Sequence, residues 1–317
     1  MTSTTSTTVL AAATSLLALS AILVPALAPS PAQACACGCG VFSVGAGNLM
    51  PDGTTGTLFV EYDFMDQSRN WSRGSRAPAD DNADKRIRTD FVTLGGQYRM
   101  SRDWTVTAEV PVWNRAFTTD TGDGVATFRH AALGDVRLTT TYTGLSKDMS
   151  LGLIAGVKLP TGDHGYANFD PDTQISTGST DLLLGAYKQG GLNRNGDWSY
   201  FVQGIWDKPV AWRGTYRPGE ELDLAAGVSW AGWSLAGGTV TLAPVVQVIG
   251  SVRARDHGAE GHPTDSGYER AVLAPGIELQ SGPWRLFTDV GVPVYQRVNG
   301  NQLTAPVLVK AMLSRRF

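Results

Sequence analysis

Charge is scarce in this chain. Only 17% of its 317 residues are Asp, Glu, Lys or Arg, and the formal net charge is −3. No basic stripe runs along it, which argues against a nucleic-acid partner. Histidine is scarcer still. His130, His164, His257 and His262 are the whole supply, and all four fall in stretches that read as loops. A nucleophilic site needs a base within reach and a third group to orient that base. No nucleophile-elbow pattern or paired-carboxylate motif sits in a workable frame, so the expectation is a protein that is not an enzyme. The loop run His257, Glu260, His262 and Asp265 has ligand residue types, but a solvated loop is the commoner source of such spacing. Beyond residue 34 there is no apolar run long enough for a membrane helix.

What is present begins with an apolar stretch over 9–28, followed by Ala32-Gln33-Ala34. That is the small-x-small form cut by signal peptidase, and it predicts a signal peptide over 1–34 with Cys35 as the first mature residue. Residues 1–8 contain no Lys or Arg, so the usual basic start is missing. Cleavage rather than lipidation is expected, because a lipobox would place Leu near the cut.

From about residue 55 the chain alternates apolar and polar side chains, the period of a strand with one wet face. Leu58, Val60, Tyr62 and Phe64 oppose Glu61 and Asp63; Trp104, Val106, Ala108, Val110 and Val112 oppose Thr105, Thr107 and Glu109. Short turns at 101–103, 146–148, 193–196 and 280–283 alternate with long polar loops at 67–85, 117–130, 161–177, 212–219 and 253–267. This is the asymmetry of a membrane barrel, with short turns on the periplasmic side and long loops outside. Trp104, Trp198 and Trp284 each follow a short turn with apolar parity, as interfacial aromatics do. Pro111, Pro160, Pro209 and Pro293 recur near the loop ends with inward parity, where a lost donor is tolerated.

The final stretch, 302–317, completes the pattern. Leu303, Ala305, Val307, Val309, Ala311 and Leu313 fall on one face, and Thr304, Lys310, Ser314 and Arg316 on the other. An unprotected terminal strand invites pairing with other chains, and a barrel removes that hazard by joining last strand to first. The expected fold is all-β: a transmembrane antiparallel up-and-down β-barrel of about twelve strands over 55–317, in the outer membrane of a Gram-negative cell. The inward parity collects Glu61, Asp63, Arg99, Glu109, Asp135, Arg137, Lys158, Asp207, Asp223, Glu278, Arg285, Asp289 and Lys310. Mixed signs in a narrow lumen either pair into a nearly closed interior or line a narrow, mildly acidic pore for cations and neutral solutes.

Residues 35–54 form a leader and linker, and 41–52 reads as a short plug-like lead-in. All three cysteines, Cys35, Cys37 and Cys39, stand here at two-residue spacing. Three is an odd count, and clustered so tightly the cysteines cannot frame a core with disulfides. In extended backbone the sulfurs point the same way and suit a soft ion such as Cu(I) or Zn(II). A flexible leader without metal is the alternative. Either way the thiols are expected in the periplasm beside the barrel's inner mouth.

Val157-Lys158-Leu159-Pro160-Thr161-Gly162-Asp163 resembles the strand-ending motif of the outer-membrane channels grouped as the meta-pathway phenol-degradation transporter family. The similar stretch covers roughly 133–317, including Asp181–Gly185 and the terminal Phe317. The 35–42 leader resembles outer-membrane barrels that share a Cys-x-Cys-x-Cys start. The resemblance implies a porin-like channel or transporter for a small, hydrophobic or aromatic solute. It also implies contact with membrane lipid and recognition of Phe317 by the barrel-assembly machinery, although Arg315 departs from the apolar residue usual two places earlier. The alternative is a non-conducting barrel that anchors a periplasmic metal or electron-transfer partner through its leader.

Overall fold

The computed structural model describes residues 39–47 and 50–317. Twelve strands form a closed antiparallel ring. They are β1 (Gly56–Gln67), β2 (Asp84–Arg99), β3 (Trp104–Asp120), β4 (Val136–Tyr142), β5 (Leu151–Leu159) and β6 (Asp181–Gly191), then β7 (Trp198–Pro209), β8 (Glu221–Trp230), β9 (Val240–Arg253), β10 (Tyr268–Ser281), β11 (Trp284–Thr304) and β12 (Leu308–Arg316). Each pairs with its sequence neighbour, and β12 pairs with β1 through Tyr62 opposite Ala311 and Asp63 opposite Lys310. Gly56 and Phe317 exchange backbone bonds of 3.1 and 2.9 Å at the seam. Closure satisfies every edge, which is the condition for strands to stand in lipid. No helix among the described residues is long and apolar enough to cross a membrane.

Side chains alternate as the period-two pattern predicts. Leu58, Val60 and Tyr62 face outward, with Phe59, Glu61 and Asp63 buried between them. Trp104, Trp198 and Trp284 lie on the outside at the short-turn end. Interior packing centres on Val41, Val44, Met65, Phe91, Phe201, Ile249, Val272 and Leu308, so the hydrophobic core is inside the ring. Phe59 reaches its place because Gly95 has no side chain; a Cβ there would overlap the Phe59 ring.

Three sequence expectations are corrected. The 117–130 stretch is not a loop: β3 runs on to Asp120, and Val125–Leu133 pairs back along it as a hairpin that carries His130 on a strand. Likewise 67–85 contains the short strands Arg69–Arg73 and Ser75–Arg76. The closing stretch is interrupted between Thr304 and Leu308, and its parity changes there. Leu303 and Ala305 are buried, while Leu308, Lys310 and Met312 face inward. Pro306 has no N–H for the ladder and accounts for the break. Tyr295 lies outside with Val294, because the β10–β11 register shifts between Ala271 and Val272. A bulge of one residue sends the following side chain to the other face.

Candidate functional site

The lumen is occupied by the chain's own leader. Cys39–Ser43 forms a single 3-10 turn within the ring, and Val41 and Val44 are buried. Polar groups of the wall bind the leader backbone. Gln203 Oε1 accepts from Gly45 N at 3.0 Å, and Gln247 Oε1 accepts from Ala46 N at 2.8 Å. Lys310 Nζ donates to Phe42 O at 2.7 Å, Arg285 Nη2 donates to Ala46 O at 2.9 Å, and Arg137 donates to the Ser43 hydroxyl. Gly45 holds φ +112°, and a Cβ there would come within 2.6 Å of Gln247 Oε1. Glycine is therefore required at this position by both conformation and space.

The plug-like reading of 41–52 thus agrees with the geometry, but the expected position of Cys39 does not. A Cβ on neighbouring Gly40 would overlap the carboxylates of Glu221 and Asp223. Both lie at the start of β8, directly after a long loop, so Cys39 begins inside the lumen toward the outer end. The leader descends from there to Asp52 at the short-turn end, where Arg316 Nη1 meets Asp52 Oδ2 at 3.1 Å. The leader packs inward because Val41, Phe42 and Val44 have apolar wall residues to meet. Cys35 and Cys37 lie outside the described residues, as does the 1–34 stretch for which a signal peptide is expected. Among the described residues no cluster of three or more His, Cys, Asp or Glu is placed to hold a metal ion.

The loop 161–180 folds into the lumen from the long-loop end. Asp172, Thr173, Gln174, Ile175 and Ser176 are buried. Arg115, 1% exposed, donates to Thr89 Oγ1 at 2.9 Å and to the carbonyls of Thr173 and Gln174 at 2.6 and 3.0 Å. Arg213, from the 210–220 loop, donates to the carbonyls of His164 and Pro171 at 3.1 and 3.3 Å. His130 stacks on Tyr166 at 4.2 Å and meets Asp163 Oδ2 at 2.7 Å. Bonds from Gly165 N and His130 hold the Asp163 carboxyl below its usual range. Burial, with Asp170, Asp256 and Asp84 adding like charge, holds the Asp172 carboxyl well above it.

Between leader and loop lies a cavity of about 250 Å³. Of the residues expected inside, Glu61, Asp63, Glu109, Asp135, Arg137, Lys158, Asp207 and Asp223 line it. Lys310 Nζ sits below, 2.9 Å from Glu61 Oε2 and 3.8 Å from Asp63 Oδ1. Arg137 meets Asp207 at 3.5 Å; Lys158 meets Asp207 at 3.0 Å and also pairs with buried Asp181. Asp135 Oδ1 accepts from Gly162 N and Ser176 Oγ at 3.1 and 2.5 Å, which ties β4 to the inward loop. The remaining members are elsewhere. Arg285 and Glu278 pair at 2.7 Å near the short turn, Asp289 Oδ2 accepts from Gln247 at 2.6 Å, and Arg99 binds turn carbonyls of Gly53 and Ser101.

Sequence reasoning missed Phe42, Trp113, Arg115, Asp172 and Glu221 as lining residues. Trp113 and Arg115 were legible, since they continue the inward parity of Glu109 and Pro111 once β3 is carried past Val112. No sequence signal marks Asp172, because nothing local says that a long loop folds inward.

No family model and no curated protein matches the sequence. Solved structures do match in fold. The COG4313 outer membrane channel from Pseudomonas putida F1 is 14% identical, with a TM-score of 0.63 over 86% of this chain and 99% of that one. The β domain of the Bordetella autotransporter BrkA aligns with a TM-score of 0.49 at 12% identity, covering 83% of this chain and 100% of that one. The translocator domain of NalP from Neisseria meningitidis aligns with a TM-score of 0.47 at 13% identity, covering 84% and 91%. A closed ring with an apolar exterior, similar in fold to an outer membrane channel, has its place in lipid. The chain is a twelve-stranded β-barrel of the bacterial outer membrane.

Proposed function

We propose that this barrel is a channel for a small solute with a single-ring or short apolar body, held closed by its leader and its inward loop. The observation that carries the reading is the cavity of about 250 Å³ within the ring. A structural barrel has no use for such a space, whereas pockets of a few hundred Å³ with apolar walls and a few polar groups are what small ligands occupy. Phe42, Phe59, Phe91 and Trp113 give it apolar walls, and acidic and basic side chains fill the gaps between them. The similarity in fold to an outer membrane channel and the resemblance of 157–163 to a phenol-degradation transporter family support the same reading. The purified, folded protein in a planar bilayer is expected to give discrete conductance steps. A bilayer that stays silent across the applied voltage range, with folded protein shown to be inserted, sinks the proposal.

A further inference from the structure

Positive charge in the cavity is spent, and negative charge is left over. Arg115, Arg137, Lys158 and Arg253 are the basic residues that line it. Arg137 and Lys158 are engaged by Asp207, and Lys158 by Asp181 as well. Arg253 pairs with Asp256 at 2.7 Å, and Arg115 is held by Thr89, Thr173 and Gln174. Against them, Glu109, Asp135, Asp172, Glu221 and Asp223 line the cavity without any ion-pair partner among the described residues. Asp172 adds an independent sign. It is 9% exposed, and its Oδ1 is buried with no hydrogen-bond partner. A carboxyl buried without a partner takes up a proton rather than stand as an uncompensated charge, and a bound counter-charge restores its ionised form.

The walls suit the same occupant. Phe91 meets Trp113 edge-on at 4.7 Å and Phe42 at 5.7 Å, forming an aromatic side to the cavity. Ring faces attract cations, and these rings already do so: Arg115 lies 5.1 Å from the Trp113 ring and Lys310 lies 5.9 Å from that of Phe42. An anion entering here would face unpaired carboxylates. A neutral hydrocarbon would pack on the rings but leave Glu109 and Asp172 desolvated.

We infer that the cavity takes a small organic cation, an ammonium group carried on a single ring or short apolar body. The inference rests on the channel reading above and names the charge class of its solute. Three probes that share one ring and differ in charge test it by calorimetric titration of the folded, full-length protein: benzylammonium, benzyl alcohol and benzoate. Benzylammonium is expected to bind about tenfold tighter than either of the others, the scale of one desolvated cation contact. In the Glu109→Gln, Asp172→Asn double variant that preference is expected to vanish while benzyl alcohol binding stays as it was. Equal or weaker binding of benzylammonium, or no binding by any probe, overturns the inference. The channel reading stands or falls separately, on conductance. If the double variant fails to fold, the ranking of the three probes on the unaltered protein still decides.

Discussion

Lys310 Nζ donates to Phe42 O at 2.7 Å, so the strand that closes the ring also holds the leader that precedes its first strand. The same ammonium meets Glu61 at 2.9 Å and Asp63 at 3.8 Å on β1. One side chain therefore ties the seam, the leader and the interior charge balance together. Lys310 is 4% exposed, and removing one member of a buried ion pair leaves the other uncompensated, a loss of about 3–5 kcal/mol. Lys310→Met is expected to lower the temperature at which the folded barrel loses its fast gel mobility in detergent. Adding Glu61→Gln is expected to recover part of the loss. An unchanged transition in the single variant contradicts this role.

Parity on β9 gives a sharper contrast. Val246 faces outward near mid-strand, where an arginine in lipid costs about 2–4 kcal/mol. Its neighbour Gln247 is buried inside, accepting from Ala46 N and donating to Asp289 at 2.6 Å. Val246→Arg is expected to reduce folding yield into vesicles sharply. Gln247→Arg is expected to spare assembly and disturb the leader, seen as faster amide exchange at Gly45 and Ala46. Equal yields for the two would show the parity to be misassigned.

The ring was legible in the sequence because its cause is local and repeated. Leu58, Val60 and Tyr62 alternate with Phe59, Glu61 and Asp63, and that rhythm recurs twelve times. What defeated the period was a residue that shifts register. Pro306 interrupts the closing strand, and the bulge near Val294 turns Tyr295 outward. The 117–130 stretch looked like a loop because polar residues such as Thr118, Thr127 and Arg129 take the outward parity, which strands in lipid give to apolar residues, on a hairpin that runs past the end of β4. The site was half legible. Glu109, Asp207 and Lys158 follow from parity, whereas Asp172 and the burial of Val41 and Val44 depend on segments folding into a lumen that only the closed ring creates.

The inward loop should respond to pH through Asp172. Its carboxyl is raised well above 3.8 by burial first, then by like charge from Asp170, Asp256 and Asp84. A carboxyl raised on folding favours the folded arrangement while protonated, and that contribution fades as pH rises through the raised value. Amide exchange at Thr173–Ser176 is therefore expected to quicken from pH 4 toward neutrality by more than the intrinsic chemical rate. In Asp172→Asn the excess is expected to disappear. Excess exchange of the same size in the variant would place its origin elsewhere.

As a channel, the barrel has a path through its lumen that the seated leader blocks. Gly45→Leu tests this most directly, because the new side chain meets Gln247 at a residue with φ +112°, and the leader can no longer seat in the lumen. Single-channel conductance of the unaltered protein and of Gly45→Leu, both shown to be folded by heat-modifiable mobility, should be recorded side by side. Brief, infrequent openings are expected for the first and sustained, larger ones for the second. Identical traces, whether silent or conducting, would contradict the blocking role of the leader.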